Sequence, residues 1–263
     1  MEFIGYICSI LIGISLGLIG GGGSILTVPV LVYLFKVDPI LATAYSLFVV
    51  GITSAVGSID YFGKGLVDIK TSFVFGLPSI ISVFVTRAYI LPAIPSQLFS
   101  ISNFILTKSL FLLLLFAILM LAAAYNMLKK SNTDESNNYI KVSYGIIVVE
   151  GFVVGALTGL VGAGGGFLII PALVILSKLP MKMAIGTSLV IIAAKSLIGF
   201  LAEGFNNNID WILLSKISLL SIIGIFMGSQ LSKSINGEKL KPAFGWFVLI
   251  MGIFIIIKEL YIN

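Results

Sequence analysis

Apolar residues fall into ten runs separated by polar or Pro/Gly clusters. The first five lie at about 3–20, 24–35, 40–60, 69–91 and 105–128, and the next five at about 141–161, 166–177, 182–202, 210–231 and 242–260. Runs of roughly 18 residues or more are long enough to cross a bilayer as helices. The pattern therefore predicts an all-α polytopic membrane protein. One strongly hydrophilic stretch, Lys129 to Lys141, splits the runs five and five. It predicts a first transmembrane repeat over 1–128, a polar cytoplasmic connector over 129–141 and a second repeat over 142–263.

The two sets of five repeat each other. A shift of 142 residues places Gly17-Leu18-Ile19-Gly20-Gly21-Gly22-Gly23 on Gly159-Leu160-Val161-Gly162-Ala163-Gly164-Gly165. It also places Pro29 on Pro171, Lys36 on Lys178, Ser46-Leu47 on Ser188-Leu189, Gly57 on Gly199 and Asp68 on Asp210. Between positions 13 and 68 there are 18 identities in 56 ungapped positions. Leu and Ile richness inflates such matches, but coincident Gly, Pro, Lys and Asp do not follow from composition.

Five crossings is an odd number, so tandem copies are expected to lie in opposite orientations. If all ten runs cross, one side collects Lys64, Lys70, Lys129, Lys130, Lys141, Lys178, Lys182, Lys233, Lys239 and Lys241, ten charges. The other collects Lys36, Arg87, Lys108 and Lys258, four charges, while Lys195 and Lys216 fall inside runs. Cytoplasmic loops carry the excess of basic residues, so both termini are expected outside. The N-terminus, Met1-Glu2-Phe3, lacks the basic region of a signal peptide, and the first run meets glycines instead of a cleavage site. The expectation is a retained first helix. Inverted repeats are the usual build of secondary transporters, with a site near the midplane, and some channels share it.

The second run of each half is short. Twelve residues, 24–35, make about 18 Å of helix, against a hydrocarbon core near 30 Å. Each follows a glycine cluster, Gly20 to Gly23 in one half and Gly162 with Gly164 to Gly166 in the other. This predicts a broken hairpin turning within the membrane, where irregular backbone survives only if packed in protein or lining a polar cavity. Two readings of the clusters stand. Glycines let backbone N–H groups and the positive end of the next half-helix form an anion site; or they merely let helices approach closely. Gly13-xxx-Gly17 and Gly155-xxx-Gly159 are expected to serve such small-residue packing.

The chain has 263 residues, 59% hydrophobic and 10% charged, too little polar surface for a soluble globule of this size. It contains no His and one Cys, Cys8, so His-ligated metals, haem, Ser-His-Asp triads and an internal disulfide are excluded. No cofactor or metal is expected. The net charge of +5 is the mark of basic cytoplasmic loops facing anionic lipid and not of a nucleic-acid partner.

The doubled Gly-x-x-Gly-x-Gly-Gly pattern, each copy followed by an apolar run to Pro29 or Pro171, resembles the TauE/SafE sulfite exporter family over both halves. The resemblance implies a plasma-membrane permease of bacteria or archaea for small anions, above all sulfur oxyanions and organosulfonates such as sulfite or sulfoacetate. Sulfur chemistry rests on the resemblance alone.

Ionisable groups at membrane depth mark functional sites. Lys195 sits near the middle of run 182–202, and Glu150 mid-run in 141–161. Lys195 either pairs with an anionic substrate or forms a structural pair with Glu150. Glu150 is alternatively the group that carries a coupling proton, since burial penalises the charged form of a carboxylate. Lys216 is close enough to the end of its run to snorkel, and Asp60, Glu203, Asp68 and Asp210 are expected to be solvated. Ser24, Ser46, Thr187 and Ser188 are candidate hydroxyl donors to an anion, although hydroxyls in such helices commonly bond back to their own backbone. The substrate-binding set from the sequence is thus Gly20, Gly21, Gly22, Gly23, Ser24, Gly162, Gly164, Gly165, Gly166, Lys195, Ser46 and Ser188.

A secondary transporter working by alternating access, without a catalytic residue, accounts for these features. An anion channel or uniporter of the same architecture is the alternative. An intramembrane enzyme lacks the side chains it needs, and a purely structural subunit leaves the midplane charges unexplained. The expected partners are a small anion, the lipid bilayer and a coupling proton; a homodimer is among the assemblies left open.

Overall fold

A computed structural model describes residues 2–101, 104–129, 144–162, 164–175, 177, 179–202, 209–234 and 237–262. The fold is helical. The first half contains α1 (Glu2–Ile19), α2 (Gly22–Pro29) running on through a π-helical turn (Val30–Leu34), α3 (Pro39–Gly63), α4 (Ile69–Val85) continued by a π-helical turn (Thr86–Ile90) and the short α5 (Leu91–Ala93), and α6 (Lys108–Leu128). The second half contains α7 (Tyr144–Val161), α8 (Gly166–Ile175), α9 (Met181–Ala202), α10 (Trp211–Ser234) and α11 (Gly237–Ile257), followed by a last π-helical turn (Lys258–Ile262). Lys130 to Lys141 of the expected connector, Ala163, Lys178 and Glu203 lie outside the described residues.

The helix starts follow from local chemistry. The carboxylate of Asp38 accepts from the amides of Ile40 and Leu41 and opens α3, with Pro39 at the first helical position where its missing N–H loses nothing. Asp68 caps α4 through Lys70 N, and Asp210 caps α10 through Leu213 N. These aspartates are therefore structural caps. The run expected to begin at 105 starts instead as an antiparallel hairpin, β1 (Gln97–Ile101) and β2 (Phe104–Thr107), with Ile101 facing Phe104. Thr107 ends it by accepting from Leu110 N and capping α6.

Packing is organised around α3 and α9, which lie against each other. On one side α1 packs along α10, and on the other α7 packs along α4. Both seams are built on glycine. A Cβ at Gly224 or Gly228 would meet the carbonyl of Ile10 or Ile14 on α1, and one at Gly155 would lie 2.5 Å from the Ser79 carbonyl of α4. Gly13 and Gly17 press on the backbone of Ser221, Ile225 and Ser229, while Gly159 presses on Thr86. The expected small-residue contacts are thus formed, between α1 and α10 and between α7 and α4. The pair α6 and α11 closes a further side, with Phe116, Met120, Val248 and Ile255 buried against Ile25, Val28, Val161 and Phe167.

Among the described residues, five helices are long and apolar enough to cross a membrane: α3, the α4–α5 run, α6, α9 and α10. The segment pairs around the glycine clusters behave differently. α2 returns along α1, so that Phe35 meets Tyr6 edge-on with ring centroids 5.3 Å apart and Gly23 lies against Ile12 and Leu16. At its tip Gly21 touches Gly166, the first residue of α8. The segment pairs α1–α2 and α7–α8 thus meet at their glycine breaks inside the structure.

Candidate functional site: the meeting point of two glycine hairpins

The tips differ in backbone. In the first, Gly20 alone has a positive φ, 72°, and Gly21 precedes α2 at φ −141° and ψ −14°, neither helical nor extended. In the second, Gly162, Gly164 and Gly165 have φ of 71°, 61° and 75°, a left-handed succession open only to glycine without strain. Gly22, Gly23 and Ser24 form the buried first turn of α2. The first N–H groups of such a turn have no partner within the helix.

The sequence-derived set is partly brought together. Gly20, Gly21 and Gly166 form the tip contact, with Ser188 beside Gly20. Lys195 is 1% exposed, donates to Thr158 Oγ1 at 2.9 Å, and lies so close to the second break that a Cβ at Gly165 would be 2.5 Å from its Nζ. The ammonium is thus held at the start of α8, where a positive helix end also points. Ser196 Oγ lies 3.2 Å from the corresponding position on Gly164; it is fully buried and has no hydrogen-bond partner.

Hydroxyls split into two groups. Ser24 donates to Gly21 O at 2.7 Å, and Ser188 to Ile185 O at 2.8 Å. Both have bonded back to backbone, leaving only oxygen lone pairs, which repel an anion. Ser46 is buried without a partner, as are Ser54 and Ser196. Ser54 and Ser196 are 142 residues apart, on α3 and α9.

Glu150 is half-buried on α7, beside the outward-facing Val149, Phe152 and Val153. It stands eight residues before Thr158, about 12 Å along the helix axis, and makes no ion pair with Lys195, which is turned to Thr158 instead. The structural-pair reading of Lys195 and Glu150 is therefore not realised. Lys216 is exposed on α10, beside Tyr6, Leu219 and Leu220, as its position near the helix start implies.

Arg87 was missed. Counted above among the basic residues outside the membrane, it is instead 0% exposed, the largest fully buried side chain described. The π-helical turn Thr86–Ile90 carries it, and such turns shift the register of a helix face, frequently at functional sites. Its Nη1 donates to Thr43 Oγ1 at 3.1 Å, and its Nη2 lies where a Cβ on Gly162 would be 2.5 Å away. A signal was available: it is the one arginine in a chain whose other fifteen basic residues are lysines.

The comparisons with known proteins bear on the whole chain. Residues 6–255 match the family model described as sulfite exporter TauE/SafE. A protein described as a probable membrane transporter in Xylella fastidiosa is 30% identical over 253 residues, covering 94% of this chain and 91% of that protein. One so described in Bacillus subtilis, YunE, is 29% identical over 90% of this chain and 89% of its own. One from Methanocaldococcus jannaschii is 31% identical over 90% and 86% respectively. No solved structure matches. With a family model spanning nearly the whole length and several apolar helices, the chain belongs to the TauE/SafE sulfite exporter family of membrane transporters and is a multi-pass membrane protein.

Proposed function

We propose that the chain is a secondary transporter that moves a small anion across the plasma membrane by alternating access, binding it where the two hairpin tips meet. The observation that carries this reading is Lys195, buried at the glycine-rich start of α8 and bonded only to a neutral hydroxyl among the described contacts. A lysine at such depth is costly, and a bound anion offsets that cost. The unpartnered hydroxyls of Ser46 and Ser196 supply further donors. The family points to a sulfur oxyanion or organosulfonate, such as sulfite or sulfoacetate, as the class of substrate.

An inverted repeat with two-fold related halves is supported by paired contacts. The amide of Asp68 donates to Thr187 Oγ1 at 2.9 Å, and the amide of Asp210 donates to Tyr45 Oη at 2.7 Å. Under the 142-residue shift these are one interaction made twice, each from one half to the other. The seams α1–α10 and α7–α4 exchange under the same shift. A hairpin that returns to its own side leaves the partition of charges unaltered, apart from Arg87. The count is then ten basic residues against Lys36, Lys108 and Lys258, which favours termini outside the cytoplasm. Glu150 is the candidate for a coupling proton.

The test is flux in proteoliposomes with sulfite, sulfate, sulfoacetate and acetate, with and without an imposed pH gradient. Saturable, gradient-dependent flux of a sulfur-containing anion is expected. Uncoupled and weakly selective flux would identify a channel, and no flux of any anion would remove the anion reading of the glycine hairpins.

A further inference from the structure

We propose that Ser54 and Ser196 are the hydroxyl donors of two matching half-sites, one at each glycine break. The anion passes between them, held by Ser196 while the site is open to one face of the membrane and by Ser54 while it is open to the other. The inference rests on the anion site and the inverted arrangement proposed above. Six buried hydroxyls have no hydrogen-bond partner among the described residues: those of Ser46, Ser54, Ser79, Thr86, Ser196 and Ser218. Under the 142-residue shift only Ser54 and Ser196 correspond to each other. The counterparts of Ser46 and Ser79 are Ser188 and Ser221, which bond to backbone carbonyls, and those of Thr86 and Ser218 are glycines. An orphaned buried hydroxyl is a cost, and this one is carried at the same place in both halves.

The surroundings of the two hydroxyls are built alike. Ser196 Oγ lies 3.2 Å from a Cβ placed on Gly164, at the second break. Gly165 presses on Thr158 as its counterpart Gly23 presses on Leu16, and Gly162 rests on Thr43 as Gly20 rests on Ile185. α2 packs on α3, and α8 on α9. Ser54 thus stands to the buried start of α2 as Ser196 stands to the start of α8, and the first N–H groups of each helix have no partner within it. The helices α3 and α9 cross antiparallel, with Gly57 by Leu189, Gly51 by Leu197 and Leu47 by Gly199. Along that crossing Ser54 and Ser196 fall on opposite sides of the level of Thr53 and Lys195, about 3–6 Å apart along the helix axes. Thr53 occupies the place of Lys195 on α3, and its Oγ1 bonds back to Val49 O at 2.7 Å. The ammonium is therefore common to both half-sites. A small oxyanion spans the gap, so it exchanges one hydroxyl for the other without leaving Lys195. When inverted halves exchange conformations to alternate access, the two hydroxyls exchange roles with them.

The test places Ser54→Cys and Ser196→Cys singly in full-length Cys8→Ser protein and applies a membrane-impermeant anionic thiol reagent, sulfonatoethyl methanethiosulfonate. Intact cells present the outer face to it and inside-out vesicles the inner face. Each thiol is expected to react at least tenfold faster from one face, the two from opposite faces, and sulfate or sulfoacetate is expected to slow both reactions. Reaction of both thiols from the same face, equal reaction of each from both faces, or no reaction of either in folded protein overturns the inference. So does a failure of these anions to slow the reactions in a protein that moves them. Ser54→Ala is expected to weaken anion binding roughly three- to tenfold, as read from ligand-induced thermal stabilisation, and unchanged affinity in that variant overturns the inference whatever the labelling. Flux of the wild type separates the two failures. If it moves neither sulfite, sulfate nor sulfoacetate, the anion site falls and the inference with it; flux without sided labelling leaves the anion site standing and removes only the exchange between half-sites.

Discussion

Replacing Lys195 with Met keeps most of the side-chain length and removes the charge together with the hydrogen bond to Thr158. A lysine at the centre of a membrane helix is disfavoured by about 2.5–3.5 kcal/mol. The bond to Thr158 is worth about 1 kcal/mol. Its loss orphans nothing, because Thr158 Oγ1 also donates to Gly155 O at 3.2 Å. The variant should therefore be more stable than the wild type by about 2 kcal/mol. Function should move the other way. A charge-assisted hydrogen bond to an anion contributes about 1.5–3 kcal/mol, which is roughly a 10- to 150-fold loss of affinity. Thermal unfolding in detergent reads the first effect, and anion competition in proteoliposomes the second. A variant that unfolds at lower temperature while binding anions as before would make Lys195 a structural pin on α7, and the site would have to be sought elsewhere.

Four further outcomes are expected. Gly155→Val drives a side chain into the Ser79 carbonyl of α4 and should destabilise by about 1–3 kcal/mol or more. Gly63→Ala, with nothing within 4 Å of its Cβ, should gain about 0.5–1 kcal/mol, and thermal unfolding separates the two. Tyr45→Phe and Thr187→Val each remove the acceptor for one aspartate amide; losses near 1 kcal/mol, equal within error, are expected if the halves are two-fold related, and a large inequality would count against it. Ser196→Ala removes a buried hydroxyl that has no partner, so it should stabilise the free protein by about 1 kcal/mol and weaken anion binding in the same preparation. Glu150→Gln should abolish the dependence of flux on a pH gradient while anion affinity stays the same; persisting gradient dependence would remove Glu150 from coupling.

Much of the architecture was legible because glycine and proline punctuate the apolar runs. Nine of the ten runs begin and end within three residues of a helical segment, and both glycine clusters coincide with breaks. What hydropathy could not convey is depth. A run of apolar residues reads the same whether its helix crosses or turns back, and the Gly21–Gly166 contact could not be read from it. The strands at 97–107 were hidden because residues such as Phe104 and Ile105 continue the apolar character of α6 without a break. Lys195 was recoverable from its central place in a run. Arg87 carried only the weaker signal of being the one arginine, and it lies eighteen residues beyond the start of α4, where counting places a chain near water. Its burial follows from the neighbouring hairpin tip and the π-helical turn, both of which are tertiary facts.

The seam between α1 and α10 has a consequence for how the chain is made. The glycine flank of α1 has its partner on a helix that begins at Trp211, so 191 residues intervene after Ile19. At 5–20 residues per second a ribosome needs roughly 10–40 s to bridge that gap. Through that interval the first hairpin must wait in the translocon or the lipid with a backbone-lined groove uncovered. The reciprocal seam, α4 with α7, closes much sooner. Assembly is therefore expected to be ordered, with the second hairpin docked early and the first captured last, and ribosome-bound chains ending short of α10 should expose α1 to membrane-embedded crosslinkers that the finished protein excludes.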